Sequence, residues 1–276
     1  MTQEREQVQV TELVTPYQAE ALANLIDTDV PTQTLPPLWH WVYLLERRPH
    51  RDLGPDGHPT SGIPTPPGPG RRRMFAGGRV TTFGELRLGE EATRTTRVVE
   101  SREKQGSAGP LTFVTVRHEI AQGGEILIED DNDIVYRAAG AGSLPATSAP
   151  VGVPEREARL DLVVDEALLF RFSALTYNAH RIHYDHNWVQ QEGYDGLVVH
   201  GPLQALMMGE LQRRAGSGLV GKTYAYRLVA PMVGPQTFGV LAGENGLAAG
   251  AEVRDARGVV TAVSTLVRPE PWPAMW

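Results

Sequence analysis

Between residues 176 and 188 the chain reads TYNAHRIHYDHNW, a run that holds Asn178, His180, His183, Asp185 and His186. Close behind it, GLVVHGPLQALMM starts at Gly196 and becomes apolar after His200, Gly201 and Pro202. An imidazole takes and returns a proton near neutral pH. A helix opening at Gly201 leaves unpaired backbone N–H groups at the positive end of its dipole, where an anion is stabilised. Proton-moving groups just upstream of such a helix suit a substrate that transiently becomes an oxyanion. The chain has no cysteine, which excludes thiolate nucleophiles, disulfides, Cys-ligated zinc and iron–sulfur clusters. His180, His183 and His186 recur every third residue, unlike the i, i+4 pair of a helical zinc motif, and no metal is expected.

The elements that must position this run can be read on both sides of it. The spacing of Leu203, Leu206, Met207 and Leu211 predicts a helix over residues 201–215, with Pro202 in its first turn and Gly216 and Gly218 ending it. Short extended pieces are expected at 159–164 and 168–172, ahead of the motif. Strands are expected at 222–230, 237–242, 247–254 and 259–267 after the helix. In the first part of the chain, Leu38, Trp41, Val42 and Leu45 predict a helix over 37–48. The Pro- and Gly-rich stretch 49–70 reads as a long surface loop. Four extended segments at 78–88, 92–104, 111–121 and 125–137 read as an antiparallel meander.

Residues 139–154, rich in Gly, Ala, Ser and Pro, read as a linker that divides the chain into 1–150 and 151–276. A length of 276 residues suits two domains of roughly 100 to 150 residues. Each half offers a helix and an antiparallel sheet. Joining the two sheets edge to edge buries both helices and removes two exposed edges; this α+β arrangement is the double hot dog. A net charge of −7 argues against a nucleic-acid surface. No apolar run approaches the roughly 20 residues that cross a bilayer, and MTQEREQVQV is too polar for a signal peptide's apolar region. No membrane contact and a cytoplasmic location are expected.

The segment FSALTYNAHRIHYDHNW with YDGLVVHGPLQ resembles the MaoC-like hydratase and dehydratase family, whose fold is the hot dog. That family carries a Gly-Asp-x-Asn-Pro-x-His run before a central helix opened by His-Gly. The resemblance places the family's catalytic histidine on His183, its aspartate slot on Asn178, and its helix entry on His200 and Gly201. The departure at Asn178 matters, because an amide cannot accept a proton. LPPLWHWVYLLERRPHRDLGPDGHP and the following GGRV extend the likeness to nearly the full chain. They make it similar to the double hot dog branch that includes mesaconyl-C4-CoA (3-methylfumaryl-CoA) hydratases and mitochondrial-type 3-hydroxyacyl-thioester dehydratases.

The resemblance implies a hydro-lyase acting across the α,β bond of an acyl thioester, with hydration of mesaconyl-C4-CoA as the leading expectation. Fatty-acid-type 3-hydroxyacyl-thioester dehydration, thioester hydrolysis and non-catalytic acyl-CoA binding are the alternatives. His183 is expected as the base, Asn178 as a holder of water, and the Gly201 N–H as the oxyanion site. Arg181, Asp185 and His200 are expected to face substrate. Arg181 can pair either with a free carboxylate on the acyl chain or with Asp185. Asp185 can either supply the missing carboxylate or cap the next turn. Arg71, Arg72 and Arg73 can meet coenzyme A phosphates or remain solvated. Trp39, Trp41 and Tyr43 are read as core in preference to tunnel wall. Only the second half is expected to carry the reaction, with the first holding the substrate's tail. No cofactor is implied beyond the coenzyme A of the substrate, and a homodimer is expected.

Overall fold

The computed structural model describes residues 6–64, 71–106, 109–138 and 152–267. Most of the 139–154 linker, its boundary near residue 150, and residues 65–70 of the Pro/Gly loop lie outside these. The chain begins with β1 (Gln7–Leu13), α1 (Pro16–Leu25), β2 (Arg71–Thr82), β3 (Glu91–Gly106), β4 (Gly109–Gln122) and β5 (Glu125–Ala138). It continues with β6 (Arg159–Val164), α2 (Glu166–Leu175), α3 (His186–Gln191), β7 (Leu197–Val198) and α4 (Gly201–Arg214). It closes with β8 (Lys222–Leu228), β9 (Val233–Gly234), β10 (Gln236–Ala242), β11 (Ala251–Arg254) and β12 (Val260–Val267).

Ten strands form one antiparallel sheet in the order β1-β3-β4-β5-β2-β8-β12-β11-β10-β6. The first five repeat, by place in the chain, as β6-β10-β11-β12-β8, and the two sets meet where β2 pairs with β8. This is the double hot dog that the resemblance implies. Two glycines let β2 lie close to both its neighbours, β8 and β5. A Cβ on Gly77, at φ 152°, would lie 2.3 Å from the Tyr226 carbonyl oxygen, and one on Gly78 would lie 2.3 Å from that of Asp131. Only glycine lets the backbones approach so closely.

Helix α4 packs against β10, β11 and β12 and is buried without a break from Leu203 to Gln212. Each of its buried polar side chains finds a partner, as burial requires. Gln204 accepts from the Thr261 hydroxyl at 2.7 Å, Gln212 donates to the Leu247 carbonyl at 2.6 Å, and Glu210 accepts from Trp39 Nε1 at 2.9 Å.

The helix expected over 37–48 is instead one 3-10 turn, Trp39–Val42, between left-handed Leu38 (φ 75°) and Leu44 (φ 55°). Its side chains are anchored in divergent directions, which overrides their helical spacing. Trp39 reaches Glu210, Trp41 Nε1 donates to Asp130 at 2.7 Å, and the Tyr43 hydroxyl donates to the Thr15 carbonyl at 2.6 Å. Trp39 and Tyr43 are core residues. The helix of this part is α1, opened by Pro16 and packed on α2. Residues 168–172, expected as extended, belong to α2, where Asp165 caps the N-terminus by accepting the Leu168 N–H at 2.8 Å. The strand expected at 247–254 is confined to β11, while β2 begins earlier than expected, at Arg71.

Candidate active site

His183 ends a 3-10 turn, Arg181–His183, and is 6% exposed. Its Nδ1 lies 2.7 Å from the Val198 carbonyl oxygen in β7. A carbonyl only accepts, so the proton is on Nδ1 and Nε2 keeps its lone pair. Burial pushes the His183 pKa down to about 4, against the pull of the Val198 hydrogen bond, and any charge on His58 pushes the same way. The imidazole is therefore a neutral base at neutral pH. His200 stacks on it, ring centroids 3.6 Å apart at 17°. The His200 Nε2 is 2.8 Å from the Ser173 hydroxyl of α2, and its Nδ1 is buried with no partner among the described residues. Burial, then the neighbouring His183 and His180, hold the His200 pKa well below the usual histidine range. Ser173 gives no signal in the sequence, where its segment has the apolar pattern of a strand.

Only Val199 and His200 separate Val198 from the start of α4, so the base and the helix end share one support. The amide of Gly201 has no acceptor among the described residues, and Pro202 supplies no N–H. A Cβ on Gly201 would meet Leu228 Cδ1 at 2.2 Å, so the helix entry is seated tightly against the end of β8.

The rest of the polar run holds itself in shape. Asn178 Oδ1 accepts the His180 N–H at 3.0 Å, and the Asn178 N–H donates to the Ser173 carbonyl at 2.8 Å. Of the two partners open to Arg181, the structure shows Asp185: Nε and Nη2 reach Asp185 Oδ2 at 2.9 and 2.6 Å. Arg181 also donates from Nη1 to the Pro55 carbonyl at 3.0 Å and stacks on the Trp188 ring at 4.3 Å. Asp185 accepts the Trp188 N–H at 3.0 Å and so caps α3. The Arg181 hydrogen bond, followed by those from backbone amides, lowers the Asp185 pKa. His186 opens α3 and is exposed.

The described part of the Pro/Gly stretch is not a free surface loop. It is bolted to the motif: the Arg181 N–H donates to the Asp56 carbonyl at 2.9 Å, in addition to the Pro55 contact. Gly57, at φ 89°, passes so close that a Cβ there would sit 1.8 Å from the Ala179 carbonyl oxygen. The His58 ring lies over that of His180, centroids 4.0 Å apart, and His180 stands edge-on to His183 at 5.5 Å. The Asp56 carboxylate faces His58 twice, Oδ1 accepting its N–H and Oδ2 its Nδ1–H, each at 3.0 Å. Burial alone would raise the Asp56 pKa, but these hydrogen bonds and the His58 charge outweigh it and leave it at about 2. Burial, with His58 and His183 beside it, brings His180 down to about 2. The sequence signal for this loop is its Asp-Gly-His turn, which by itself implies a turn and nothing more.

Asp56, His58 and His180 each offer a ligand atom within 4.8 Å of the others. Both Asp56 oxygens are engaged by His58, whose Nδ1 must carry a proton to make its bond. As bonded here, the trio is an Asp56–His58 hydrogen-bonded pair packed on the His180 ring. Of the three arginines after the loop, Arg71 donates to the Thr112 hydroxyl at 2.6 Å. The Arg72 side chain lies outside the description. Arg73 is exposed and makes no hydrogen bond or ion pair with the described residues. Its guanidinium pKa is nonetheless lowered by desolvation, with Tyr136, Asp56 and Glu46 opposing. Its charge also bears on His180.

Comparison with known proteins bears on the family and the fold. The profile of the hydroxyacyl-thioester dehydratase type 2 family matches residues 38–234. A mesaconyl-C(4)-CoA hydratase of Chloroflexus aurantiacus is 48% identical over 215 residues, covering 77% of this chain and 76% of the relative. HtdX of Mycobacterium tuberculosis superposes with a TM-score of 0.67 at 15% identity, over 96% of this chain and 100% of that one. A conserved M. tuberculosis protein with a double hotdog fold superposes with a TM-score of 0.55 at 14% identity, over 97% of both chains.

Proposed function

Since the chain belongs to the hydroxyacyl-thioester dehydratase type 2 family, we propose that this hydro-lyase adds water across the double bond of mesaconyl-C4-CoA (3-methylfumaryl-CoA), giving a malyl-type CoA ester. The observation that carries the reading is the buried, neutral His183, with Nδ1–H pinned on Val198 and Nε2 free, beside an unpaired amide at the start of α4. His183 Nε2 takes a proton from water, and the hydroxide adds to the β-carbon. The electron pair released from the double bond moves toward the thioester oxygen, which the Gly201 N–H and the α4 dipole stabilise. His200 braces the ring from behind, Asn178 keeps the turn in which any water must be held, and Arg181 with Asp185 locks that turn. Coenzyme A enters as part of the substrate. A metal has no step in this scheme.

The acyl group carries a free carboxylate on its β-carbon, so a cation must lie close to the reacting atoms. Arg73 suits this task better than Arg181, whose donors are already engaged. Residues 1–150 are proposed to house the acyl and pantetheine portions, since the chain lying against their strands is the irregular segment around Trp39–Val42 and not a long helix. No helix among the described residues is long and apolar enough to cross a membrane; a cytoplasmic homodimer is part of the same reading. The test is a panel of enoyl-CoAs with and without a distal carboxylate, followed by loss of enone absorbance. Consumption of mesaconyl-C4-CoA without thiol release is the expected result. Thiol release with the enone intact would replace the lyase by a thioesterase, and binding with no turnover would reduce the protein to a carrier. Preference for unsubstituted chains would favour a 3-hydroxyacyl-thioester dehydratase of fatty-acid type.

A further inference from the structure

Hydration moves two protons at two different atoms: one leaves water, and one arrives at the α-carbon. His183 serves the first. The position at which the resemblance expects a carboxylate holds Asn178, whose Oδ1 accepts the His180 amide. Asp185 is tied to Arg181 and to the Trp188 amide. Neither His180 nor His200 has a hydrogen-bonded carboxylate among the described residues, and burial keeps both neutral.

The carboxylate that does reach this cluster comes from the other half of the chain. Asp56 holds His58 at Nδ1, so the nitrogen left for proton exchange is Nε2. A carboxylate at Nδ1 also gives an imidazolium its counter-ion. The ring lies on His180, which borders His183. The loop that presents the pair is held by backbone bonds within itself, Gly54 N–H to His58 O at 2.7 Å and Thr60 N–H to Asp52 O at 2.8 Å. It is held to the motif through Arg181. The pair keeps partial access to solvent, with side-chain exposures of 23% for His58 and 36% for Asp56, so it can be reprotonated from water. The charged or titratable groups around it are Asp56, His180 and His183, the guanidinium of Arg181 bonded to the loop, and Arg73, whose charge acts on His180 and Asp56.

We propose that His58, oriented by Asp56, is the second proton-transfer residue of the site and delivers the proton to the α-carbon. This rests on the hydratase reading above. The balance closes: water gives its proton to His183 Nε2 and its hydroxide to the β-carbon, and His58 Nε2–H gives a proton to the α-carbon. The site starts with His58 protonated and ends with His183 protonated, and solvent exchange restores the first state. The N-terminal half then contributes chemistry as well as room for the substrate.

The test uses the full-length protein with His58→Gln and Asp56→Asn, read by kcat and KM for mesaconyl-C4-CoA across pH, with Tm and metal content measured in parallel. His58→Gln is expected to lower kcat by about 10²- to 10⁴-fold, the usual range for a general acid, with KM changed by less than about threefold and the high-pH limb of the kcat profile gone. Asp56→Asn is expected to keep that limb but move it to lower pH, which a merely structural role would not do. Should the Gln variant be poorly folded, His58→Ala supplemented with imidazole is expected to regain activity in proportion to imidazolium. A folded His58→Gln protein with kcat within about threefold of wild type overturns the proposal alone. So does a stoichiometric divalent cation that disappears with either substitution. A wild-type protein that hydrates none of the enoyl-CoAs overturns the proposal together with the reading beneath it.

Discussion

Replacing Gly57 by alanine isolates the contact between the two halves of the site. The added Cβ would stand 1.8 Å from the Ala179 carbonyl oxygen, 2.7 Å from its carbon and 3.3 Å from the His180 Cα, all backbone, so no rotamer change relieves it. The left-handed φ of 89° adds about 1–2 kcal/mol for any residue with a Cβ. The loop must lift, and it then loses two bonds to Arg181, one backbone bond worth about 0.5–1.5 kcal/mol and one from a guanidinium worth about 1.5–3 kcal/mol. A loss of docking on the order of 3 kcal/mol corresponds to about 100-fold in the population of the assembled site. Because Gly57 lies outside the hydrophobic core, Tm is expected to change little. The assays are kcat/KM with mesaconyl-C4-CoA and amide hydrogen exchange over residues 52–60 and 178–183. A Gly57→Ala protein with wild-type exchange in both segments and kcat/KM within about threefold would refute the docked loop as part of the site.

His183→Ala is expected to lose about 10²- to 10⁴-fold in kcat while remaining folded; a folded variant with wild-type rate would remove the base from the mechanism. Arg73→Ala is expected to raise KM for mesaconyl-C4-CoA by at least about tenfold, the lower end of a charged hydrogen bond, and to leave crotonyl-CoA unaffected; an equal effect on both would return Arg73 to the coenzyme. Stability is expected to fall as the pH drops from about 6.5 to about 4. His118 and His183, both lowered to about 4 chiefly by burial, bind fewer protons folded than unfolded in that window. Each contributes on the order of 3 kcal/mol that is fully present above pH 6.5 and lost by pH 4. Urea unfolding midpoints at pH 7, 5.5 and 4.5 measure this, and a flat profile would contradict it.

What can be read from sequence is what is local in sequence. His183, Val198 and Gly201 are joined by one short path, and the buried stripe of α4 repeats at helical spacing, so the meeting of this histidine with the helix end, and most strands, are legible from the chain alone. The misreadings share one cause: the deciding partner is remote. The run WHWVY has a helical period, yet Glu210, Asp130 and Thr15 pull its side chains apart. Residues 168–172 are equally apolar as strand or helix, and only the Asp165 cap distinguishes them. The largest omission is Asp56 and His58, because a Pro/Gly turn has no period and its contacts with residues 179–181 span more than a hundred positions. In isolation Asn178 reads as a weakness of the motif, an acid missing from its slot. With the loop in place, the slot is seen to hold the His180 amide, and the His180 ring carries that of His58. Because that bond uses only the side-chain oxygen, Asn178→Asp should keep the turn, a carboxylate accepting the same amide, and a changed kcat with the turn intact would give the slot a part in the chemistry beyond holding His180.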